Sequence, residues 1–362
     1  MKILHIIYDL NVGGAEILLL NLCKEILAKE PKTGITVLTI AEKGSLAKNF
    51  EDAGITVECA NNPKGDFIRN FFYTIAYLRR SKPDIVHTHL WHADKCGILA
   101  AFFMNITRIS TIHNFELNLS GKQLIWNIIV NRLSTKMISV SETTKKQWVS
   151  RRHFKANKIT TIYNCGGFSP VNEITARSSC SPDARILAIG RISPAKGFLY
   201  AVEAFNLLHR EFPGITLDIY GPFFDVNYVN QIKAAIKSGG LERKITIHEA
   251  TDNPVKLFMD YDILLMPSLY EGFGMVAVEA MSCGIPVIAS KIPVFEEIFD
   301  NGAAALLVEP MNAAQIAGAA KKLLSEPVLY NKLSVNGLKR SKAFSKEQTT
   351  AGYLELYHSL IG

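Results

Sequence analysis

The sequence predicts an α/β protein built from two doubly wound domains, each with a parallel sheet covered by helices. Apolar strands alternate with helical patterns along the chain, and this alternation restarts after a polar, proline-containing segment. Strands that alternate with helices are connected by right-handed crossovers and therefore form parallel sheets. The length of 362 residues also fits two domains, because one domain usually has roughly 100–200 residues.

The first domain is predicted over residues 1–168. Its first strand, 2–8, is mostly apolar and runs into a glycine turn, after which apolar residues recur every three to four positions as in a helix. Further strands are predicted at 34–40, 55–59, 84–89, 110–113, 137–140 and 159–163. Helices are predicted at 45–53 and 67–80, and the strand at 84–89 is expected to pass into a loop.

Residues 169–184 are predicted to be a linker, because they are polar and lack apolar periodicity. The second domain is predicted over 185–344. Its strands are expected at 185–190, 215–220, 245–248, 263–266 and 286–289, and its helices at 198–210, 228–238, 255–260, 274–282 and 313–325. Ligands of doubly wound sheets bind at the carboxyl ends of the strands, so we expect one cleft between the two domains.

The composition excludes several classes of protein. Hydrophobic residues make up 48% of the chain and charged residues 20%, which excludes a disordered protein. No apolar run approaches the roughly 18 residues of a membrane span, and the start of the chain lacks the pattern of a signal peptide. The six cysteines include no C-x-x-C pair, so we expect reduced thiols and a cytoplasmic protein.

Positive charge is concentrated in the first domain. Residues 1–168 contain 22 lysines and arginines and 13 acidic residues (22 − 13 = +9), whereas the rest of the chain contains 18 and 20 (18 − 20 = −2). A basic surface can bind phosphate-bearing lipid, a membrane or nucleic acid, or it can simply keep the protein soluble. Two segments could lie on an anionic bilayer or could equally be core helices: 67–80, which is aromatic and basic, and 123–133.

The stretch 266–280 has the pattern of an anion-binding turn. A strand ends near Met266, a glycine-rich turn follows, and a helix begins near Gly274. Glycines let backbone N–H groups approach a ligand, and the helix N-terminus adds partial positive charge, so the turn suits a phosphate. Glu271 and Glu279 would repel a phosphate unless they bind the hydroxyl groups of a sugar or ribose. The alternative is a capping glutamate and a surface glutamate.

A second turn, at 189–197, also follows a strand and precedes a helix. It contains Arg191 and Lys196, whose charges would balance a nucleoside diphosphate; the alternative is a solvated loop. Gly13 and Gly14 form a third glycine turn, but it lacks the G-x-G-x-x-G spacing of a dinucleotide site. A dinucleotide-dependent oxidoreductase is therefore disfavoured.

Four histidines follow two strands of the first domain: His87, His89, His92 and His113. Metal binding by these residues is conceivable, but no neighbouring carboxylate or cysteine spacing supports it. Each is more simply explained as a hydrogen-bonded buried residue or a loop residue. We therefore predict no metal site.

Taken together, the motifs resemble glycosyltransferase family 4, whose order and spacing they match over nearly the whole chain. The matching segments are Gly13-Gly14, 83–89, 140–142, 190–197 and 271–279, the last of which is similar to the E-x7-E signature of the family. The resemblance implies the GT-B architecture, in which two Rossmann-like domains face each other across a cleft and the C-terminal tail, 345–362, packs back on the first. It also implies transfer of a sugar from a nucleotide diphosphate donor, with retention of anomeric configuration and without a required metal or other cofactor.

By position, the resemblance assigns roles to individual residues. Arg191 and Lys196 would bind the diphosphate, Glu279 the ribose, and Glu271 the hydroxyl groups of the donor sugar. His113 would lie beside the donor sugar and the acceptor, and it completes the implied catalytic set with Glu271, Arg191 and Lys196. The implied donor site comprises Gly14, Gly190, Arg191, Lys196, Ala250, Thr251, Glu271, Gly272, Phe273, Gly274, Met275 and Glu279.

The implied enzyme is a hexosyltransferase that uses a UDP-sugar, with a GDP-sugar as the alternative. Its acceptor would be a glycan or a polyprenyl- or lipid-linked sugar of surface polysaccharide or glycolipid synthesis. It would be cytoplasmic, could contact the inner face of an anionic membrane peripherally, and would have no nucleic-acid partner. Three rival hypotheses stay open: the oxidoreductase, a non-catalytic nucleotide- or sugar-binding protein on the same fold, and a sugar phosphorylase.

Overall fold

The computed structural model describes residues 1–62, 66–113, 120–150, 154–166, 174–181, 183–250 and 254–361. The chain forms two compact units: the first comprises Met1–Gly167 with Lys346–Gly362, and the second comprises Phe168–Ser345. Each unit contains one parallel sheet with helices between successive strands. The predicted class, two doubly wound α/β domains, is therefore confirmed.

The first unit is built on a seven-stranded sheet with the order β3-β2-β1-β4-β5-β6-β7. Its strands are β1 (Lys2–Ile7), β2 (Gly34–Thr39), β3 (Thr56–Cys59), β4 (Ile85–His89), β5 (Thr107–Ile112), β6 (Lys136–Ser139) and β7 (Ile159–Thr161). Its first six helices are α1 (Gly14–Lys29), α2 (Ala47–Glu51), α3 (Phe67–Ser81), α4 (Leu90–Phe103), α5 (Gly121–Leu133) and α6 (Glu142–Ser150). The register places His5 of β1 beside His87 of β4, and His89 beside Thr111 of β5.

The second unit is built on a six-stranded sheet with the order β10-β9-β8-β11-β12-β13. Its strands are β8 (Arg185–Ile189), β9 (Thr216–Tyr220), β10 (Ile245–His248), β11 (Ile263–Met266), β12 (Val287–Ser290) and β13 (Leu306–Val308). Its helices are α7 (Phe198–His209), α8 (Val226–Ser238), α9 (Pro254–Met259), α10 (Met275–Ser282), α11 (Pro293–Ile298), α12 (Ala313–Ser325) and α13 (Pro327–Ser341). The sequence did not predict β13, α11 or α13.

The last helix, α14 (Lys346–Ile361), belongs to the first unit although it follows the whole second unit in sequence. Tyr353 and Tyr357 are fully buried in the same apolar cluster as Ile3 and Ile85. Burying a side chain of this size stabilises the fold by roughly 1.5–3 kcal/mol. The tail is therefore an integral part of the first core.

Two local predictions differ from the structure. No loop follows β4, because α4 begins at Leu90, which turns the chain within one residue by adopting a left-handed conformation with φ 70°. The described part of the predicted linker is hydrogen-bonded to the second unit. Arg177 donates its backbone N–H to Ser334 Oγ, and its guanidinium donates to the carbonyl oxygens of Phe258 and Tyr261. Residues 174–181 are thus anchored to the second unit, while 169–173 and 182 lie outside the described residues.

No helix in the described part of the chain combines the length and the apolar character that a membrane crossing requires.

Candidate functional site

The loops that follow β8 and β11 are joined to each other in the second unit. The two strands are neighbours in the sheet, so their carboxyl ends bring loops 190–197 and 267–274 together. Leu269 donates its backbone N–H to the carbonyl oxygen of Ala195 at 2.8 Å. Gly197 has φ 68°, and a Cβ atom there would lie 2.1 Å from the carbonyl oxygen of Pro267. Only glycine fits both the conformation and this close approach.

Lys196 and Glu271, which the sequence assigned to different parts of a ligand, form an ion pair with each other. Lys196 Nζ contacts Glu271 Oε1, and Ser268 Oγ donates to the same carboxylate oxygen at 3.0 Å. Both side chains are largely buried, with exposed fractions of 19% for Lys196 and 11% for Glu271. A diphosphate that binds Lys196 would compete with Glu271 and free its carboxylate to accept from sugar hydroxyl groups. The sequence did not identify Ser268.

The predicted glycine turn leads directly into α10. Gly274 is the N-cap of this helix with φ 91°, and a Cβ atom there would lie 2.8 Å from Phe295 Cε1. Gly272 lies in the turn, Phe273 is buried, and Met275 is the first residue of the helix. The backbone N–H groups at the start of α10 therefore lie beside the turn, where a phosphate or sugar oxygen could bind.

Glu279 and Arg191 differ sharply in their surroundings. Glu279 lies within α10 with only 9% of its surface exposed, so the alternative of a surface glutamate is wrong. Arg191 is exposed, and its guanidinium carbon lies 5.3 Å from the centre of the Phe224 ring. The preceding residue, Gly190, donates its N–H to the carbonyl oxygen of Tyr220 at 2.9 Å. Arg191 is thus held against Phe224, on the β9 side of the turn.

The end of β10, just before the predicted donor-site residues Ala250 and Thr251, carries a polar cluster that the sequence did not reveal. His248 Nε2 lies 2.8 Å from Asp218 Oδ1, and the other Asp218 oxygen accepts from the Tyr261 hydroxyl at 2.8 Å. The His248 ring stacks on Tyr220 at 4.2 Å. Ala250 follows this strand and is exposed; Thr251 lies outside the described residues.

In the first unit, the glycine turn after β1 leads into α1. Gly13 is the N-cap and Gly14 is the first helical residue. A Cβ atom on Gly13 would lie 2.3 Å from Glu16 Oε2. Gly14, a predicted donor-binding residue, therefore lies at a helix N-terminus, as Gly274 does in the second unit.

His113 follows β5 and lines a cavity of about 80 Å³ in the first unit. Trp91, Asp94, Asn127 and Trp148 contribute to the same walls. Burial lowers the pKa of His113 to about 4, so the ring is neutral near pH 7. The cavity was not predicted, because its walls come from both helices and strands of the first unit, including α4, β5, α5, β6 and α6, and share no sequence motif.

Asp94 is the buried carboxyl group of this cavity. Its Oδ1 accepts from Thr88 Oγ1 at 2.5 Å and from Ser110 Oγ at 2.8 Å. Burial raises the pKa of Asp94 to about 7, although the two hydroxyl donors oppose the increase. Asp94 therefore gains its charge only near neutral pH.

The predicted histidines form a hydrogen-bond network with His5. Nitrogen atoms of His5, His87 and His89 lie within 4.8 Å of one another, a spacing at which a metal ion is conceivable. However, His87 already uses both nitrogens, with Thr111 Oγ1 at 2.7 Å and Tyr357 OH at 2.6 Å. His92 lies apart, exposed, with its ring against that of Tyr8. The network favours hydrogen bonding over metal ligation, and the absence of a required metal stays a prediction.

Comparison with known proteins identifies the family. Residues 12–165 match the family model described as Glycosyltransferase Family 4, and residues 174–340 match Glycosyl transferases group 1. The chain belongs to glycosyltransferase family 4. The predicted resemblance is therefore confirmed, the protein is a glycosyltransferase, and the oxidoreductase hypothesis is wrong.

Two relatives and one solved structure show how far the similarity extends. The chain is 24% identical over 321 residues to D-inositol 3-phosphate glycosyltransferase of Arthrobacter sp. (strain FB24), covering 82% of this chain and 76% of that one. It is 25% identical over 373 residues to the capsular polysaccharide biosynthesis glycosyltransferase CapH of Staphylococcus aureus, covering 99% of both chains. The crystal structure of Anabaena HepE in complex with UDP and glucose superimposes with a TM-score of 0.86 at 22% identity, over 99% of this chain and 100% of that one. These likenesses confirm the GT-B fold.

Proposed function

We propose that this family 4 enzyme is a hexosyltransferase that transfers a sugar from a UDP-sugar, with retention of configuration, to a glycan or lipid-linked acceptor of surface polysaccharide or glycolipid synthesis. The observation that carries the proposal is the Lys196–Glu271 pair at the N-terminal end of α10. A cation, a carboxylate and a helix N-terminus are the groups that a phosphorylated sugar needs. The UDP bound to HepE and the capsular role in the name of CapH support the choice of donor and pathway class.

In the proposed reaction, the bond between the anomeric carbon and the diphosphate oxygen breaks while a bond to the acceptor oxygen forms on the same face of the sugar. Negative charge develops on the diphosphate, and Lys196, Arg191 and the N-terminus of α10 stabilise it. The acceptor hydroxyl gives its proton to the departing phosphate oxygen. Atoms and charge then balance without a side-chain nucleophile, and the cations make a metal ion unnecessary.

The remaining residues would position the donor. Glu279 would accept from the ribose hydroxyl groups, and Glu271, once released from Lys196, would accept from the sugar and stabilise positive charge at the anomeric carbon. The backbone of 272–275 would contact the sugar and phosphate. Gly14 and Gly190 would let their backbones approach the diphosphate, and Ala250 and Thr251 would lie near the base.

Sugar release from UDP-sugars tests this proposal. The purified chain is incubated with UDP-glucose, UDP-galactose, UDP-N-acetylglucosamine and GDP-mannose, with and without a lipid-linked acceptor extract, and free nucleotide is measured. We expect UDP release that the extract stimulates and that Glu271→Gln reduces by at least tenfold, while the exposed control Lys237→Ala leaves it unchanged. Binding of a UDP-sugar without any release would favour the non-catalytic hypothesis, and release that requires inorganic phosphate would favour a phosphorylase.

We further propose that the first unit contacts an anionic membrane through an aromatic surface formed by α3, α4 and α5. Ile68, Phe72, Phe103 and Ile125 are between 60% and 65% exposed. Ring contacts connect the three helices, with 6.0 Å between the centres of Phe71 and Phe103 and 5.3 Å between those of Phe67 and Trp126. The helices are therefore not only core elements.

The charges beside this surface indicate an anionic bilayer. Arg69, Arg79 and Lys122 are exposed on the same helices. Aromatic side chains that insert at the lipid boundary, with basic residues beside them, are the combination that binds anionic lipid.

Liposome flotation tests membrane contact. We expect the chain to float with vesicles that contain phosphatidylglycerol, less so at high salt, and Phe72→Ser to reduce the bound fraction. Val328→Ser, which changes an equally apolar side chain that is 84% exposed in the second unit, is the control. Equal flotation of the wild type and the Phe72→Ser variant would contradict this surface.

A further inference from the structure

Three imidazoles form a continuous chain in the sheet of the first unit. His5 Nδ1 lies 3.0 Å from His89 Nε2, and His89 Nδ1 lies 3.2 Å from His113 Nε2. His5 and His89 are at most 1% exposed, whereas His113 is partly exposed after the end of β5. The chain therefore leads from the core of the sheet to a residue that the family resemblance assigns to the substrates.

Only two proton arrangements satisfy both N···N contacts. Burial lowers the pKa of His5 to about 3 and holds that of His89 well below its ordinary value, so these rings, like His113, are neutral near pH 7. A neutral imidazole carries one N–H and one lone pair. The three N–H groups must therefore all point along the chain in the same direction, either outward to His113 or inward to His5.

The buried end of the chain decides between these arrangements. His5 Nε2 has no hydrogen-bond partner among the described residues. In the inward arrangement this nitrogen would carry a proton with no acceptor, and a buried N–H without a partner is rarer in proteins than an acceptor that is not fully used. In the outward arrangement only a lone pair is left without a partner. The outward arrangement is therefore favoured.

We propose that His5 and His89 are positioning residues that fix His113 in its Nδ1–H tautomer. His113 Nε2 then accepts from His89, and Nδ1–H is left to donate to an oxygen atom of the ligand. The identity of that ligand, a sugar, rests on the proposed function. His113 is thereby a neutral donor that orients the sugar, and it does not take the proton of the acceptor, because its remaining nitrogen is already protonated.

Nitrogen-15 NMR of the full chain labelled at histidine tests the tautomer without donor or turnover, so its result is independent of whether the proposed reaction is right. Two-bond correlation spectra separate protonated from bare ring nitrogens, and His113→Gln assigns the His113 signals. We expect a protonated Nδ1 and a bare Nε2 at pH 7.5. A proton on Nε2, or on both nitrogens, would overturn the proposal, and this holds even if the variants below do not fold.

Two variants of His5 test whether the chain sets the tautomer. His5→Leu removes the inner donor, so we expect mixed tautomers at His113. We also expect kcat to fall roughly tenfold, because the hydrogen bond from His113 Nδ1–H to the ligand would be lost in part of the molecules. In His5→Asn the amide can donate from near the position of Nδ1, and we expect the Nδ1–H tautomer to return. His358→Gln, on the exposed face of α14, is the control and should change neither property. An unchanged His113 tautomer in His5→Leu would show that the chain has no such role.

Discussion

The carboxyl ends of the two sheets carry opposite kinds of chemistry. In the second unit, Lys196 and Glu271 form an ion pair whose members keep 19% and 11% of their surface exposed. In the first unit, His5 and His89 are at most 1% exposed, and burial keeps their rings neutral. Partial exposure allows the second edge to hold charge, whereas complete burial favours neutral hydrogen-bonded groups at the first. One edge is therefore suited to a charged leaving group, and the other to orienting a neutral sugar.

A substitution at the charged edge of the second sheet is expected to lower activity the most. Lys196→Ala removes a cation that stabilises the departing diphosphate, and we expect the rate of UDP release to fall by roughly 10²–10³-fold, the usual effect of losing one such group. The rate is measured at saturating donor. A variant that keeps more than half of the wild-type rate would show that the charge of this edge does not serve the reaction.

The close approach of the two loops in the second unit should matter for stability. Gly197 and Gly240 have nearly the same φ, 68° and 67°, but a Cβ atom at Gly240 would meet nothing within 4 Å, whereas one at Gly197 would meet the Pro267 oxygen. We expect Gly240→Ala to lower the free energy of unfolding by about 1 kcal/mol, from backbone strain alone, and Gly197→Ala by roughly 3 kcal/mol or more. Urea denaturation measures both. Equal losses of unfolding free energy in the two variants would mean that the close approach of Gly197 to Pro267 does not contribute to stability.

The stability of the protein should depend on pH through Asp94, which lies near the neutral edge of the first sheet. Burial raises the pKa of this carboxyl group from 3.8 to about 7, so the folded protein keeps a proton that the unfolded chain has lost above pH 4. Stability therefore falls as the pH rises towards 7 and is constant above it. Asp94→Asn should remove this dependence, so its stability relative to the wild type should rise by roughly 2–3 kcal/mol between pH 5 and pH 8.

The control for Asp94 is Asp52→Asn, because Asp52 is exposed on the same unit. Its stability relative to the wild type should be nearly the same at both pH values. If Asp94→Asn shows the same small change as Asp52→Asn, Asp94 does not keep its proton in the folded protein.

Much of the fold could be predicted, because apolar runs with clear ends define buried parallel strands. The strands Ile245–His248 and Ile263–Met266 lie where the pattern placed them. The strand Leu306–Val308 has only three residues and follows a run of alanines, so it gave no signal of its own. The start of α4 was missed because Leu90 adopts a conformation that its residue type disfavours.

The site was only partly predictable, because only some of its parts are continuous in sequence. The glycine turn before α10 is continuous in sequence, and its composition indicates an anion site without knowledge of the fold. In contrast, Lys196 and Glu271 are 75 positions apart and His5 and His89 are 84 apart. These contacts depend on strand order and on rotamers, neither of which residue spacing reveals.

The binding of UDP compared with that of uridine tests the central claim most directly. Calorimetric titration of the purified chain measures both, and the two ligands differ only in the diphosphate that the charged edge should bind. We expect UDP to bind roughly a hundredfold more tightly than uridine, because about two charge-assisted hydrogen bonds are gained. Equal affinities, or no binding of UDP at all, would contradict the claim that this edge of the second sheet recognises the leaving diphosphate.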